Sequence, residues 1–350
     1  MDNYFFKENI VVQIYDFFKN NNFQSSNPVT IYNFLEGKEG FIIKDEKGLG
    51  RMDVGMVKYI SKICSKMEND GLLMRIKVNT PDNISDSYMS VYECNFNSPD
   101  EFRRSLEEGD YDCKYKGFPY VRHLYMNSVL PIIGKNHKGD DDNGTCYYIG
   151  NNSFITAAHC INGLSEFRIE NNDGHIYPIQ DVCFREGADK GSFDLALIRC
   201  KEDIKLKPLM NAEPEVLDDV LVMGYPPIPG LFTTLTSETA TINSIISSHQ
   251  KAAAGQIIAS SVSYLDKMEY MLINARVKGG NSGGPVINSY GQVVGTVIQI
   301  PFDNIGGAEK GRYDIMGYGM CLPSKYTDDL CQNIEVHQVK VNDIGNCRMI

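Results

Sequence analysis

The sequence predicts a mostly β protein in two parts, a small α+β module followed by a larger all-β domain. Before residue 115, apolar residues recur with helical spacing, whereas after it short β-rich runs are separated by Gly, Asn, Asp and Pro. A chain of 350 residues leaves room for two domains, since one domain takes roughly 100–200 residues. The hydrophobic fraction of 42% can fill a core, which excludes disorder of the whole chain.

The first part has the pattern of three helices followed by two strands. Helices are expected from residue 10 to the asparagines at 20–22, over 30–35 and over about 56–69; strands are expected over 72–78 and 88–94. The apolar stripe of the first helix consists of Ile10, Ile14, Phe17 and Phe18. This order resembles a winged helix-turn-helix. It predicts a winged-helix-like module over residues 1–96, joined to the rest by a charged helix and linker over 97–118.

Three lysines of the third helix allow two interpretations. Lys58, Lys62 and Lys66 recur every fourth residue, so their ammonium groups share one helix face, to which nucleic-acid phosphates could bind. However, residues 1–80 hold 11 Lys+Arg and 10 Asp+Glu, and lysines at this spacing usually form a solvated face. The sequence favours the solvated face over nucleic-acid binding.

The charge of the whole chain also limits its partners. With 34 Lys+Arg against 45 Asp+Glu, its formal net charge is −11, which argues against coating nucleic acid or anionic membrane. No run approaches the ~18 apolar residues of a membrane span, and the first residues lack the basic start and apolar run of a secretory signal. We therefore expect a cytoplasmic protein without membrane contact. Its ten cysteines include no Cys-x-x-Cys pair and are expected to be mostly reduced.

Three short strings in the second part carry reactive residues. They are Thr-Ala-Ala-His-Cys around His159, Phe-Asp-Leu-Ala-Leu-Ile around Asp194, and Gly-Gly-Asn-Ser-Gly-Gly-Pro around Ser282. A serine hydroxyl attacks a carbonyl at neutral pH only when a base accepts its proton, and the imidazole of histidine has a suitable pKa. A carboxylate on the other ring nitrogen fixes the tautomer and stabilises the charged ring. We predict Ser282 as nucleophile, His159 as base and Asp194 as the orienting carboxylate.

The glycines around Ser282 fit the same chemistry. An oxyanion that develops on a carbonyl needs hydrogen-bond donors, and the N–H groups of Gly280 and Ser282 are predicted to supply them. A turn that points both N–H groups at one spot needs unusual backbone angles, which glycine tolerates. Glycine also leaves space for the substrate carbonyl. These residues predict an oxyanion hole beside the nucleophile.

Taken together, the three strings resemble those of the chymotrypsin- and trypsin-like serine peptidases. They follow one another in the order His, Asp, Ser, with separations of 35 and 88 residues. The resemblance implies a double six-stranded β-barrel of chymotrypsin type over residues 119–328, followed by a C-terminal tail over 329–350. The pattern around Gly224-Tyr225-Pro226 is closest to the HtrA/Deg-like branch. The segment after the barrels is too short for the PDZ domain that this branch usually carries there.

The resemblance also implies where a peptide or protein substrate binds. An extended peptide would add a strand along Ile298, Gln299 and Ile300. Arg276 would lie near the base of the pocket for the residue before the cut, where a guanidinium favours an acidic side chain. In the alternative, which we favour, Arg276 belongs to a solvated loop outside the pocket.

No cofactor and no metal are expected, because the other histidines lack metal-ligand spacing and the glycines follow no phosphate-binding pattern. The family's disulfide would join Cys160 to Cys146, but an intracellular chain favours two reduced thiols. The predicted function is an intracellular serine endopeptidase, gated by its N-terminal module or a regulatory protein partner, with bacterial stress or anti-phage defence as one setting. The alternative is a regulatory nucleic-acid- or protein-binding module attached to a catalytically weak barrel that docks peptides.

Overall fold

The computed structural model divides the chain into two compact units, Met1–Lys116 and Gly117–Ile350. The boundary falls inside the expected linker at 97–118, of which residues 97–109 lie outside the described part. The structure describes residues 10–22, 29–36, 42–44, 50–52, 54–70, 73–76, 87–90, 110–136, 139, 141–162, 164–184, 193–226, 249–264, 267–299, 318–332 and 338–340. Within these residues, no helix combines the length and apolar character needed to cross a membrane.

In its described residues, the first unit contains four helices and five short strands. The helices are α1 (Ile10–Asn22), α2 (Ile31–Glu36), α3 (Val54–Asn69) and α4 (Asp110–Lys116). The strands are β1 (Val29–Thr30), β2 (Ile42–Lys44), β3 (Gly50–Met52), β4 (Leu73–Ile76) and β5 (Ser87–Ser90). One sheet has the order β1-β5-β4, and β2 pairs with β3 in a separate two-stranded sheet that the sequence did not predict.

The core of this unit follows the predicted helical periodicity. Ile14 and Phe18 of α1 are buried against Phe34 of α2 and Ile60 of α3. The charged helix α4 joins the same core, since Tyr115 stacks on Tyr15 with ring centroids 4.9 Å apart. Helix α4 is thus part of the first unit. The winged-helix relationship stays a prediction, and residues 91–96 of the expected module lie outside the described part.

Where the structure describes it, the second unit is mostly β. Its elements are α5 (Phe118–Tyr125), β6 (Val129–Asn136), β7 (Asp141–Gly150), β8 (Ser153–Thr156), a 3₁₀ turn (Ala158–Cys160), β9 (Leu164–Glu170), β10 (Ile176–Tyr177), β11 (Ile179–Phe184), β12 (Ala196–Cys200), β13 (Asp219–Gly224), β14 (Lys251–Val262), β15 (Glu269–Ile273), β16 (Pro285–Asn288), β17 (Val293–Gln299), β18 (Gly319–Pro323), α6 (Lys325–Gln332) and β19 (Gln338–Lys340). Among them the helices are few and short.

These strands form two antiparallel sheets, each with its own buried core. Strands β13, β14, β15, β18, β17 and β16 close into a six-stranded barrel in that order. The other sheet has eight strands in the order β10-β9-β6-β7-β8-β12-β11-β19. It is called the first sheet because its strands precede the barrel along most of the chain. Buried apolar residues fill each sheet, with Phe154 and Ile198 in the eight-stranded sheet and Val222 and Met271 in the barrel. The prediction of a mostly β chain with two barrel-like sheets is confirmed.

The first sheet differs in one respect from the expected six strands, because it has eight in the described residues. One of the additional strands is β19, which lies in the segment 329–350 that we expected to be a tail. Its Val339 pairs with Val182 of β11. An open sheet edge presents unpaired N–H and C=O groups, and a short strand from the end of the chain satisfies them.

Strand register brings two of the three reactive strings together. Strands β8 and β12 are antiparallel neighbours, with Thr156 opposite Ala196. His159 follows β8 by three residues in the 3₁₀ turn, and Asp194 precedes β12 by two residues. Because antiparallel strands place the end of one beside the start of the other, both side chains emerge at the same end of the sheet.

Candidate active site

His159 and Asp194 form a double hydrogen-bonded contact. The ring Nδ1 of His159 lies 2.5 Å from Oδ2 of Asp194. The backbone N–H of His159 donates to Oδ1 of the same carboxylate at 2.8 Å. The two bonds hold the carboxylate against the ring and keep a proton on Nδ1, so Nε2 is the nitrogen through which the ring can exchange a proton. The side chain of Asp194 is only 13% exposed, whereas that of His159 is 49% exposed.

The surroundings of His159 favour its charged form. Burial acts against the imidazolium, but the hydrogen bond with Asp194 and the adjacent Cys160 sulfur outweigh it and raise the pKa of His159 from the usual 6.5 to about 10. The sequence suggested an ordinary imidazole pKa near neutral. It could not show that both ring nitrogens face electron-rich partners.

Cys160 lies between the histidine and the serine loop. Its Sγ is 3.8 Å from Nε2 of His159, and the thiol donates to the carbonyl oxygen of Ser282 at 3.3 Å. Gly144 of β7 provides the space, because a Cβ there would lie 2.7 Å from this sulfur. Cys146 and Cys160 are both free thiols in the structure. Sequence reasoning treated Cys160 as one half of a disulfide or as a core thiol and missed this contact.

The loop that carries Ser282 needs glycine at several positions. Gly280 and Gly283 have φ angles of +87° and +81°, in the left-handed region that L side chains rarely adopt. A Cβ on Gly280 would meet the Tyr225 carbonyl oxygen at 2.6 Å. The conformation and the close approach of other backbone segments both explain why the string contains four glycines around one serine.

Polar side chains of β7 tie this loop to the first sheet. The hydroxyl of Thr145 donates to the Gly280 carbonyl at 2.6 Å and accepts from the Tyr225 N–H at 3.1 Å. The backbone N–H of Thr145 donates to the Ser282 carbonyl at 2.9 Å. Asn143 donates from Nδ2 to the Tyr225 carbonyl at 2.7 Å. Sequence analysis assigned no role to Thr145 or Asn143, since their partners lie 80 or more positions away in the chain.

Two of the four residues predicted to contact substrate lie in β17. Ile298 is buried at 4% exposure in β17, and Gln299 ends that strand opposite Met320 of β18. Ile300 lies outside the described residues. Arg276 has an exposed side chain in the segment after β15, the placement expected for the solvated alternative. The roles of all four in substrate binding stay predictions.

Replacing Gly283 with alanine is expected to destabilise the second unit strongly. The added Cβ would lie 2.1 Å from the Thr145 carbonyl oxygen and 2.2 Å from Oγ1 of Thr156, in a backbone conformation with positive φ. Left-handed strain and overpacking together predict a loss of about 2–5 kcal/mol of unfolding free energy. Urea unfolding of the full chain measures it. Gly279→Ala is the matched control, because its Cβ meets nothing within 4 Å, and an equal loss in both variants would contradict the argument.

Comparison with known proteins gives a family match and several similar proteins. The family described as Trypsin-like peptidase domain matches residues 144–295, which include His159, Asp194 and Ser282. Serine protease HTRA1 of Xenopus laevis and that of Xenopus tropicalis are each 26% identical to this chain over 181 residues, which are 51% of this chain and 35% of the relative. The chain therefore spans about a third of the length of these relatives.

Solved structures show a more distant likeness. The active form of the Rv3671c protease from M. tuberculosis has a TM-score of 0.46 and 22% sequence identity, with 62% of this chain and 85% of that chain covered. The match to the peptidase family and the HTRA1 relatives carry the assignment. Residues 144–295 of the chain are thus similar to the trypsin-like peptidase domain family, and HtrA-type serine proteases are among the relatives that the chain resembles.

Proposed function

We propose that the second unit is a serine endopeptidase that hydrolyses peptide bonds of a protein substrate through Ser282, His159 and Asp194. The observation that carries the proposal is the pair of hydrogen bonds between His159 and Asp194, which leaves Nε2 on the other side of the ring, 3.8 Å from the Cys160 sulfur that bonds to the Ser282 carbonyl. A carboxylate-bound imidazole of this kind serves as a general base for a neighbouring hydroxyl. The trypsin-like family match supports the same assignment.

In the proposed reaction, Oγ of Ser282 attacks the substrate carbonyl while Nε2 of His159 takes the hydroxyl proton. Asp194 stabilises the resulting imidazolium through Nδ1. The N–H groups of Gly280 and Ser282 then hold the oxyanion, and the ring returns its proton to the leaving amine. Water deacylates the serine by the same steps in reverse. No step in this scheme needs a cofactor.

A serine-directed covalent probe tests the proposal. A fluorophosphonate should label the folded full-length protein, and peptide mapping by mass spectrometry should find the adduct on Ser282. Heat-unfolded protein is the control, since labelling depends on the hydrogen-bonded base. An adduct on another residue, or labelling that survives unfolding, would count against the proposal. Cleavage of an unfolded protein substrate by the same preparation establishes endopeptidase activity.

The activity is expected to rise with pH well above neutrality. The base must be uncharged to accept a proton, and the pKa of His159 is raised to about 10. Between neutrality and that value, kcat/KM should therefore increase by up to about tenfold per pH unit. The same shift stabilises the fold while the ring is charged, a contribution present below pH 6.5 and lost as pH rises toward 10. Measurement of kcat/KM from pH 6 to pH 10 at constant ionic strength checks the expected rise.

A matched pair of variants identifies the cause of this shift. Cys160→Ala removes the sulfur beside Nε2 and should move the rising limb to lower pH. Cys331→Ala removes another partly exposed free thiol, in α6, and should leave the profile unchanged. An unchanged profile in Cys160→Ala would show that the sulfur does not hold the proton on His159.

We also propose that the first unit, or a partner bound to it, gates the peptidase. This proposal is supported by the separate core of that unit, built from residues such as Phe18, Phe34 and Ile60. Lys58, Lys62 and Lys66 are exposed along α3, and nucleic-acid binding there stays a prediction. A cytoplasmic location and a stress or anti-phage role likewise stay predictions from the sequence.

A further inference from the structure

The spacing of two side-chain atoms in the candidate active site matches that of a metal chelate. Nε2 of His159 and Sγ of Cys160 are 3.8 Å apart. Tetrahedral zinc binds histidine nitrogen at about 2.1 Å and cysteine sulfur at about 2.3 Å, which places two such ligands about 3.6 Å from each other. The separation of these two atoms is therefore compatible with their binding one zinc ion.

The other ring nitrogen has the partner that zinc-binding histidines need. Histidine ligands commonly donate their second N–H to a carboxylate, which fixes the tautomer and makes the ligating nitrogen more basic. Nδ1 of His159 meets Oδ2 of Asp194 at 2.5 Å, so this support is already in place. Nε2 lies on the opposite side of the ring from the carboxylate and can bind a cation once it has released its proton.

Both ligand side chains are at least partly exposed to solvent. The side chain of His159 is 49% exposed, and Cys160 is partly exposed, whereas Cys146 on the neighbouring strand is buried. The thiol of Cys160 now donates to the Ser282 carbonyl at 3.3 Å, a bond that it gives up when the sulfur binds a metal as thiolate. The thiol proton, and the proton of Nε2 when the ring is charged, then pass to water.

We propose that His159 and Cys160 form a zinc-binding pair through which Zn²⁺ reversibly inhibits the peptidase. The inhibitory effect rests on the proposed function, since a metal on Nε2 prevents His159 from accepting the proton of Ser282. Nowhere in the described part do three or more His, Cys, Asp and Glu side chains gather into a metal site. Two protein ligands with water in the remaining positions make an exchangeable site, which suits reversible inhibition better than a resident ion.

Inhibition of the full-length protein gives the first test. In a non-chelating phosphine reductant, Zn²⁺ is expected to lower kcat/KM at least about tenfold, and Mg²⁺, which prefers oxygen ligands, should have no effect. Cys160→Ala and Cys160→Ser should each weaken the inhibition at least about tenfold, because alanine removes the ligand and serine replaces it with a poor one. Cys331→Ala should be inhibited like wild type. Equal inhibition of all variants, or none of wild type, overturns the proposal.

A second measurement does not depend on activity. Co²⁺ bound to a thiolate gives a charge-transfer absorption in the near ultraviolet, and this band is expected in wild type, in Ser282→Ala and in Cys331→Ala. It should be absent from both Cys160 variants, whose folding is checked by circular dichroism. A band that persists without Cys160 overturns the site. If the protein proves to have no peptidase activity but the band follows Cys160, the proposed function fails while the metal site stands.

Discussion

Replacing Ser282 with alanine is expected to lower kcat by roughly 10⁶-fold, the size of effect found when a serine peptidase loses its nucleophile. The substitution removes only Oγ. The backbone carbonyl of Ser282, which accepts from Thr145 N–H and from the Cys160 thiol, is retained. The glycines on either side are also unchanged, so the loop should keep its shape. Single-turnover hydrolysis of a fluorogenic peptide measures the loss.

Ser289→Ala provides the matched control for this experiment. Ser289 is partly exposed in the turn between β16 and β17, seven positions after the proposed nucleophile, and should be replaceable with less than about a twofold effect. Activity in Ser282→Ala above 1% of wild type would place the nucleophile elsewhere. Alkylation of that variant would then ask whether Cys160, whose sulfur faces the same imidazole, performs the attack.

Much of the arrangement behind this prediction is local in sequence and therefore predictable. The glycines around Ser282 predict a turn with positive φ angles, and Gly280 and Gly283 have such angles. His159 follows an apolar run that predicts a strand, and Asp194 precedes another. Antiparallel pairing of these strands, β8 and β12, brings the two residues together. In the first unit, the stripe at Ile14 and Phe18 is buried as its period indicates. Each of these inferences depends on short-range patterns with a physical cause.

Features that depend on long-range register were not predictable in this way. Thr145 reaches Gly280 across 135 positions of the chain, and nothing in its own neighbourhood distinguishes it from any strand threonine. The contact of Cys160 with Nε2 of His159 depends on side-chain directions in a 3₁₀ turn, which sequence spacing does not define. Strand β19 pairs through backbone groups, and any three-residue extended segment can supply those. Contacts that many residue types could make cannot be predicted from the residue type alone.

Replacing Asp194 with asparagine is expected to lower kcat by about 10⁴-fold, although it keeps the shape of the side chain. The Oδ1 atom that accepts from the His159 backbone N–H at 2.8 Å is retained. An amide nitrogen then replaces Oδ2 opposite Nδ1. Because that nitrogen is a donor, the ring must present its lone pair at Nδ1 and carry its proton on Nε2. Nε2 then cannot accept the proton of Ser282, so the prediction concerns the tautomer as well as the charge.

Asp181→Asn separates this effect from the general cost of neutralising a carboxylate in the first sheet. Asp181 is buried in β11 and accepts from Nε of Arg199 at 2.6 Å, so its replacement should lower stability without changing kcat of the folded protein. Nitrogen NMR of labelled histidine gives a second readout. In Asp194→Asn the neutral ring should carry its proton on Nε2, and the pKa of His159 should fall because the hydrogen-bonded carboxylate that raises it is gone. A variant that loses activity while its histidine keeps the wild-type tautomer and pKa would mean that Asp194 acts on the fold and not on the base.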